Sequence, residues 1–145
     1  MIYSIYGQPG SGKTTLGKLL ANSLATPHHI DGDIFRDIFH NTDYSKKGRE
    51  HNIKTANAVA TYLTEAYDQP VVMSIVNPYQ YLRKELSQNT TTIEILLESD
   101  RDLRREHHCE DFEIGSPDLI INTDSPVDDT WHLLNDGIRE VFAAP

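Results

Sequence analysis

"MIYSIYGQPGSGKTT" (Met1–Thr15) decides the fold. An apolar, β-prone run leads straight into a Gly-rich loop. "KTTLGKLLANSLA" (Lys13–Ala25) follows, with Leu16, Leu19, Leu20 and Leu24 on one helical stripe. Gly7, Gly12, Lys13 and Thr14 satisfy G-x-x-x-x-G-K-[ST], in the strand–loop–helix context that a phosphate-binding loop requires. Glycines let backbone N–H groups close around an anion, and the helix beginning near Lys13 turns its positive end toward the same place. Lys13 is placed to reach the β- and γ-phosphates of ATP, and the Thr14 hydroxyl to ligate Mg²⁺. Pro9, Gly10, Ser11 and Thr15 complete the expected ATP contacts. Ser11 also reads as a turn residue and Thr15 as a first-turn residue.

Beyond this unit, strands and helices keep alternating. Strands are predicted at His28–Asp33, Pro70–Val76, Thr91–Glu98 and Asp118–Thr123, and short helices at Ile34–His40 and Tyr79–Ser87. A long helix lies within Gly48–Gln69, with Ile53, Ala56, Val59, Ala60 and Leu63 as its apolar stripe. A polar helix is expected at Asp100–His108. The last helix, Val127–Phe142, would turn Trp131, Leu134, Ile138 and Phe142 inward. "PVVMSIV" is apolar throughout, as for a strand covered on both faces. The expected fold is α/β: a three-layer P-loop kinase fold, a five-stranded parallel sheet with helices on both faces. Residues 1–145 read as one such domain, and the least regular part, within 100–117, as a candidate lid.

Composition narrows the function. The 145 residues are 38% hydrophobic and suffice for one core. No apolar run approaches a membrane span, and the early first strand leaves no room for a signal peptide. A single cysteine, Cys109, fits a reducing cytoplasm. The net charge of −9 argues against long nucleic acid or an anionic membrane as partner. An anionic small-molecule substrate would be met by a few placed Arg and Lys side chains. A GTPase would need an NKxD-type element, which is absent. A short chain with a second acidic motif soon after the loop fits a small-molecule kinase.

That motif is "DGDIFR" (Asp31–Arg36). Asp33 falls at the sheet edge where doubly wound folds bind ligands. A carboxylate there can accept a hydroxyl proton or organise the Mg²⁺ shell. "DGD" is also turn chemistry. Arg36 shares a helical face with Asp33, and Asn52 with Arg49, each by i, i+3 spacing. A planar guanidinium fork suits sulfate or phosphate oxygens.

"GQPGSGKTT", "IDGDIFRDIF", "YSKKGREHNIK", "NPYQYLR" and "SPDLIINTD" come in the order and roughly the spacing of adenylylsulfate kinases, which the chain resembles over about Ile2 to Phe142. The resemblance implies transfer of the ATP γ-phosphate to the 3′-hydroxyl of adenosine 5′-phosphosulfate, and a homodimer. It implies that Lys13, Asp33 and Arg36 are catalytic, Asp33 facing the reacting hydroxyl with Asp31 in support. Arg36, Arg49 and Asn52 would hold the phosphosulfate and ribose. Tyr44, where the family has Phe, would stack on the acceptor adenine, with Phe112 on the opposite face. Asn77, Pro78 and Tyr79 would line the acceptor site.

Two departures stand out. Where the family reads S-P-Y/F-R, this chain has Asn77-Pro78-Tyr79-Gln80, which removes a guanidinium and predicts weaker anion binding or a different anion; Arg83 matches a later family Arg. The lid is shortened and lacks lysine. Arg101, Arg104 and Arg105 are its cationic candidates, with Arg104 or Arg105 expected to contact the adenine or γ-phosphate of ATP. His107, His108 and Cys109 stand too close together, with no second pair, to make a tetrahedral zinc site.

Overall fold

β1 (Ile2–Tyr6) sits at the centre of a five-stranded sheet, with every residue of the strand buried. Its neighbours are β3 (Val71–Ser74) and β4 (Thr92–Glu98). β2 (His29–Asp31) and β5 (Leu119–Asn122) are the edges, so the order is β2-β3-β1-β4-β5 and every pairing is parallel. The computed structural model describes residues 1–101 and 105–144, and none of the helices described is long and apolar enough to cross a membrane.

Parallel strands need crossovers, and helices supply them. α1 (Lys13–Ser23) and α5 (Val127–Ala143) cover one face, burying Leu16, Leu20, Leu134 and Ile138 against Tyr3, Ile5 and Ile95. α3 (Lys46–Tyr67) and α4 (Gln80–Asn89) cover the other, burying Ile53, Ala56, Ala60 and Leu82 against Ile2, Val71 and Met73. The predicted stripes are therefore the packed ones, apart from Phe142, which is 54% exposed. From Leu134 and Ile138 the helical period runs on to Val141, which packs against the core in its place.

The second strand is shorter than predicted. It stops at Asp31 because the Asp31 side chain caps α2 (Gly32–Ile38), accepting from the N–H groups of Asp33 (3.0 Å) and Ile34 (3.2 Å). Ser45 caps α3 in the same way, accepting from the Gly48 N–H. Of the predicted polar helix, the described residues hold a single 3₁₀ turn, Arg105–His107. The carboxyl ends of β1, β2 and β3 bring the phosphate loop, Asp31 and Ser74–Asn77 to one edge of the sheet.

Candidate active site

The phosphate loop is held from three sides. Gly12 adopts φ 102°, a left-handed conformation that glycine takes without strain, and turns the chain into α1. The first turn of α1 has neither a side-chain cap nor an acidic residue, which leaves its N–H groups for an anion. The Lys13 ammonium donates to the Gln8 carbonyl (2.8 Å). Thr123, at the end of β5, donates its hydroxyl to the Ser11 carbonyl (2.8 Å). Ser74 donates to the Lys13 carbonyl (2.9 Å). That bond uses the Ser74 proton, so the contact at 2.8 Å with His29 Nε2 is donated by the imidazole.

A cleft of about 260 Å³ opens above this loop. Pro9, Gly10, Gly12, Lys13, Thr14 and Thr15 form one wall. Asp31, Asp33, Arg36, Tyr44, Arg49, Asn52, Asn77 and Pro78 form much of the rest. Gly7 lies at the root of the loop and Ser11 is fully buried beneath it, neither on the cleft surface. Asp33 belongs to the first turn of α2 rather than to the end of a strand, because Asp31 takes the capping position.

Two buried cations mark the acceptor side. Arg36 and Arg49 are only 8% and 6% exposed, and among the described residues neither has a carboxylate within ion-pair distance. Their recorded donors go to neutral oxygens instead. Arg36 Nη1 reaches the Asn41 and Asp43 carbonyls and the Asn41 side chain at 3.1–3.2 Å. Arg49 reaches the carbonyls of Tyr44 (3.0 Å) and His107 (2.7 Å). Burial lowers the Arg36 pKa, and the Arg49 charge adds to this against Tyr44 and the acids Asp33 and Asp43. Burying paired donors without a counter-charge is costly, and an anionic ligand relieves that cost. Between these groups stands Tyr44, with the Arg36 guanidinium carbon 4.0 Å from its ring centroid and the His107 ring stacked at 3.7 Å.

The oxygen donors fit Mg²⁺. The Thr14 hydroxyl hydrogen-bonds Asp31 Oδ2, and Asp33 lines the same cleft. Among the described residues no group of three His, Cys, Asp or Glu side chains could cage a metal. Mg²⁺ needs none: it is commonly held by one or two carboxylates, waters and substrate phosphates.

Several expected contacts fall elsewhere. Tyr79 is packed in the core with Ile53 and Leu82 and does not line the cleft. Phe112 stacks on Tyr6 (6.1 Å, 7°), also outside the cleft, because Gln8, Pro78 and Arg83 tie its segment down. Gln80 packs beneath Gly115 (φ +69°), where a Cβ would meet its amide at 3.3 Å and Arg83 Nη2 at 2.8 Å. Gln80 is not among the residues that line the cleft. Arg101 donates to the Thr123 carbonyl and, at 3.4 Å, to that of Gly10. Arg104 and the Arg105 side chain lie outside the described residues.

Two residues carry weight that spacing did not signal. The Gln8 amide clasps the Cys109 backbone at both ends, donating to its carbonyl (2.8 Å) and accepting from its N–H (2.9 Å). His107, read in the sequence only against zinc, lines the cleft. Burial pushes the Cys109 thiol up to about 11.

Fold and cleft together are those of the P-loop kinase class. The adenylylsulphate kinase family model matches residues 1–110. The chain belongs to that family. An APS kinase from Mycobacterium tuberculosis, solved in complex with AMPPNP and APS, superposes with a TM-score of 0.78 at 18% identity, covering 95% of this chain and 96% of that one. Shikimate kinase from Aquifex aeolicus vf5 superposes at 0.67 and 16% identity over 100% of both chains. Identities this low speak for the fold alone. Among curated proteins, an adenylate kinase of Anaeromyxobacter sp. (strain K) is 51% identical over 37 residues, which are 26% of this chain and span only 17% of that relative's length.

Proposed function

We propose that the chain is an adenylylsulfate kinase, transferring the ATP γ-phosphate to the 3′-hydroxyl of adenosine 5′-phosphosulfate, in the cytoplasm and in the service of sulfate assimilation. One observation carries this reading: two buried guanidiniums, without carboxylate partners among the described residues, share a cleft with the phosphate loop. Burying them without a counter-charge is costly, and an anionic acceptor would supply that charge.

The roles follow from position. The loop backbone and Lys13 hold the β- and γ-phosphates, and Mg²⁺ would supply charge neutralisation from Thr14 with Asp31 and Asp33. Asp33 accepts the proton of the attacking hydroxyl or orients it. Arg36, Arg49 and Asn52 hold the acceptor's anion. Pro78 closes the wall beside them. Arg104 or Arg105 supplies a further ATP contact, and residues 100–117 act as a lid over the bound pair. The enzyme works as a homodimer, which sedimentation tests.

The direct test is a coupled assay with ATP, Mg²⁺ and adenosine 5′-phosphosulfate. A 3′-phosphorylated product is expected, and its absence at saturating substrate would overturn the assignment. Arg36→Ala and Arg49→Ala each remove a charge-assisted hydrogen bond and should raise the acceptor KM by about 10- to 100-fold.

A second reading keeps the chemistry and changes the hydroxyl. It is favoured by Tyr44, both of whose faces are covered by side chains of this chain. Offering AMP, adenosine, gluconate and shikimate in the same assay separates the two.

A further inference from the structure

The His107 ring lies on Tyr44 in an arrangement that two rings do not favour by themselves. Their centroids are 3.7 Å apart and their planes 9° from parallel, which is nearly face to face. Aromatic pairs prefer offset or edge-to-face geometry with the centroids farther apart. The stack is therefore held by the backbone that carries it. That backbone has two ties. The His107 carbonyl accepts from Arg49 Nη2 (2.7 Å). Two residues on, the Gln8 amide engages Cys109 at both ends, Nε2 donating to its carbonyl (2.8 Å) and Oε1 accepting from its N–H (2.9 Å). Cys109 is 3% exposed, so its backbone groups have little water to turn to if the amide is removed.

Gln8 stands inside the phosphate loop, yet it is not among the residues that line the cleft. Its carbonyl accepts from Lys13 Nζ (2.8 Å) and from the Ser11 N–H (3.2 Å), so the loop fixes the backbone from which the amide reaches out. Its side chain is engaged with a segment 101 positions away. That segment carries the ring covering Tyr44 on one face, while Arg36 covers the other with its guanidinium carbon 4.0 Å from the centroid. We propose that Gln8 is a positioning residue for the acceptor: by clasping Cys109 it holds the His107 ring on Tyr44, and an acceptor base that takes that face works against the clasp. A residue of the donor loop thereby sets the affinity for the acceptor. The inference rests on the reading that the acceptor is a nucleotide whose base stacks on Tyr44.

Gln8→Met keeps the length of the side chain and removes both hydrogen bonds. In steady-state kinetics with ATP, Mg²⁺ and adenosine 5′-phosphosulfate, its acceptor KM should fall about two- to tenfold, with the KM for ATP within about threefold of wild type. In a His107→Ala background the same change should move the acceptor KM by less than about twofold, since no ring is left for the clasp to hold. A residue that merely shaped the loop would raise the KM for ATP and act equally in both backgrounds, and either result overturns the proposal. Wild type supplies a second measurement that needs no variant to fold. On saturation with adenosine 5′-phosphosulfate, the nuclear Overhauser contacts between the His107 and Tyr44 rings should vanish and the Cys109 amide should exchange at least about tenfold faster. Contacts that persist, or that vanish while the Cys109 amide stays protected, overturn the proposal. Failure of the underlying reading looks different: wild type then gives no product and no acceptor-induced change. The clasp is then decided by Gln8→Met alone, which should lose the His107–Tyr44 contacts without any ligand and overturns the proposal if it keeps them.

Discussion

The Tyr44 and His107 rings lie 3.7 Å apart, centroid to centroid, at an interplanar angle of 9°. With the Arg36 guanidinium 4.0 Å from the same centroid, both faces of Tyr44 are taken, since two groups this close cannot share one. An acceptor base that stacks on Tyr44 must therefore part it from His107. Aromatic pairs of this kind are worth about 0.5–1.5 kcal/mol. His107→Ala removes the competing ring and leaves the carbonyl that Arg49 uses. Steady-state kinetics should show the acceptor KM falling about two- to tenfold, with the KM for ATP unchanged. An unaltered acceptor KM would show that the base binds elsewhere.

Arg83 is a structural clip. It is 2% exposed, pairs with Glu94 at 3.2 Å, and donates to the carbonyls of Asn77, Glu113 and Ile114. Removing one partner of a buried ion pair leaves an uncompensated charge. Arg83→Met should cost about 3–5 kcal/mol in urea unfolding. It should also loosen the segment around Glu113, read as faster amide exchange there.

Cys109 should be inert in the folded protein. Burial, and the carboxylate of Asp111 accepting from its thiol at 3.1 Å, put its pKa at about 11. Only about one thiol in a thousand is then ionised at pH 8. Native protein should react with iodoacetamide at pH 8 at least 100-fold more slowly than denatured protein, in which the thiol titrates near its free value. Rapid native labelling would contradict the packing described around Cys109.

His29 gives acid sensitivity. Burial lowers its pKa below the ordinary 6.5, with Asp31 opposing and Lys18 adding. The unfolded chain therefore binds the proton more readily than the folded one. The His29 contribution is fully present above about pH 6.5 and is lost as pH falls from there toward the lower folded value. His29→Gln can still donate an amide N–H to Ser74 but does not titrate. Between pH 7.5 and 5 its melting temperature should fall less steeply than that of wild type in a fluorescence melt. Parallel curves for the two proteins would exclude His29 as the source.

What could be read without coordinates was what lies close along the chain. The strand, loop and helix of Ile2–Ser23 declare themselves by apolar period and glycine spacing. Arg36 and Arg49 stand out because each sits at helical spacing from another polar group and because both fall on positions that the family resemblance assigns to the acceptor's anion. Phe112 and Tyr79 show the limit. Both are aromatic and both fall at plausible positions, yet one stacks on Tyr6 and the other turns into the core. Nothing local distinguishes an aromatic that faces a ligand from one that faces a sheet.

The phosphate loop is legible along the chain, because it is built from consecutive backbone groups whose geometry the covalent spacing sets. The opposite wall of the cleft, by contrast, is assembled from segments far apart in the chain. Only the insertion of β3 between β1 and β2 brings Asn77 beside the loop opposite Asp31. Only the return of the chain after β4 sets His107 on Tyr44 and Cys109 against Gln8, across 63 and 101 residues of chain. Contacts at that separation depend on strand order and loop closure, which no local pattern of residues encodes.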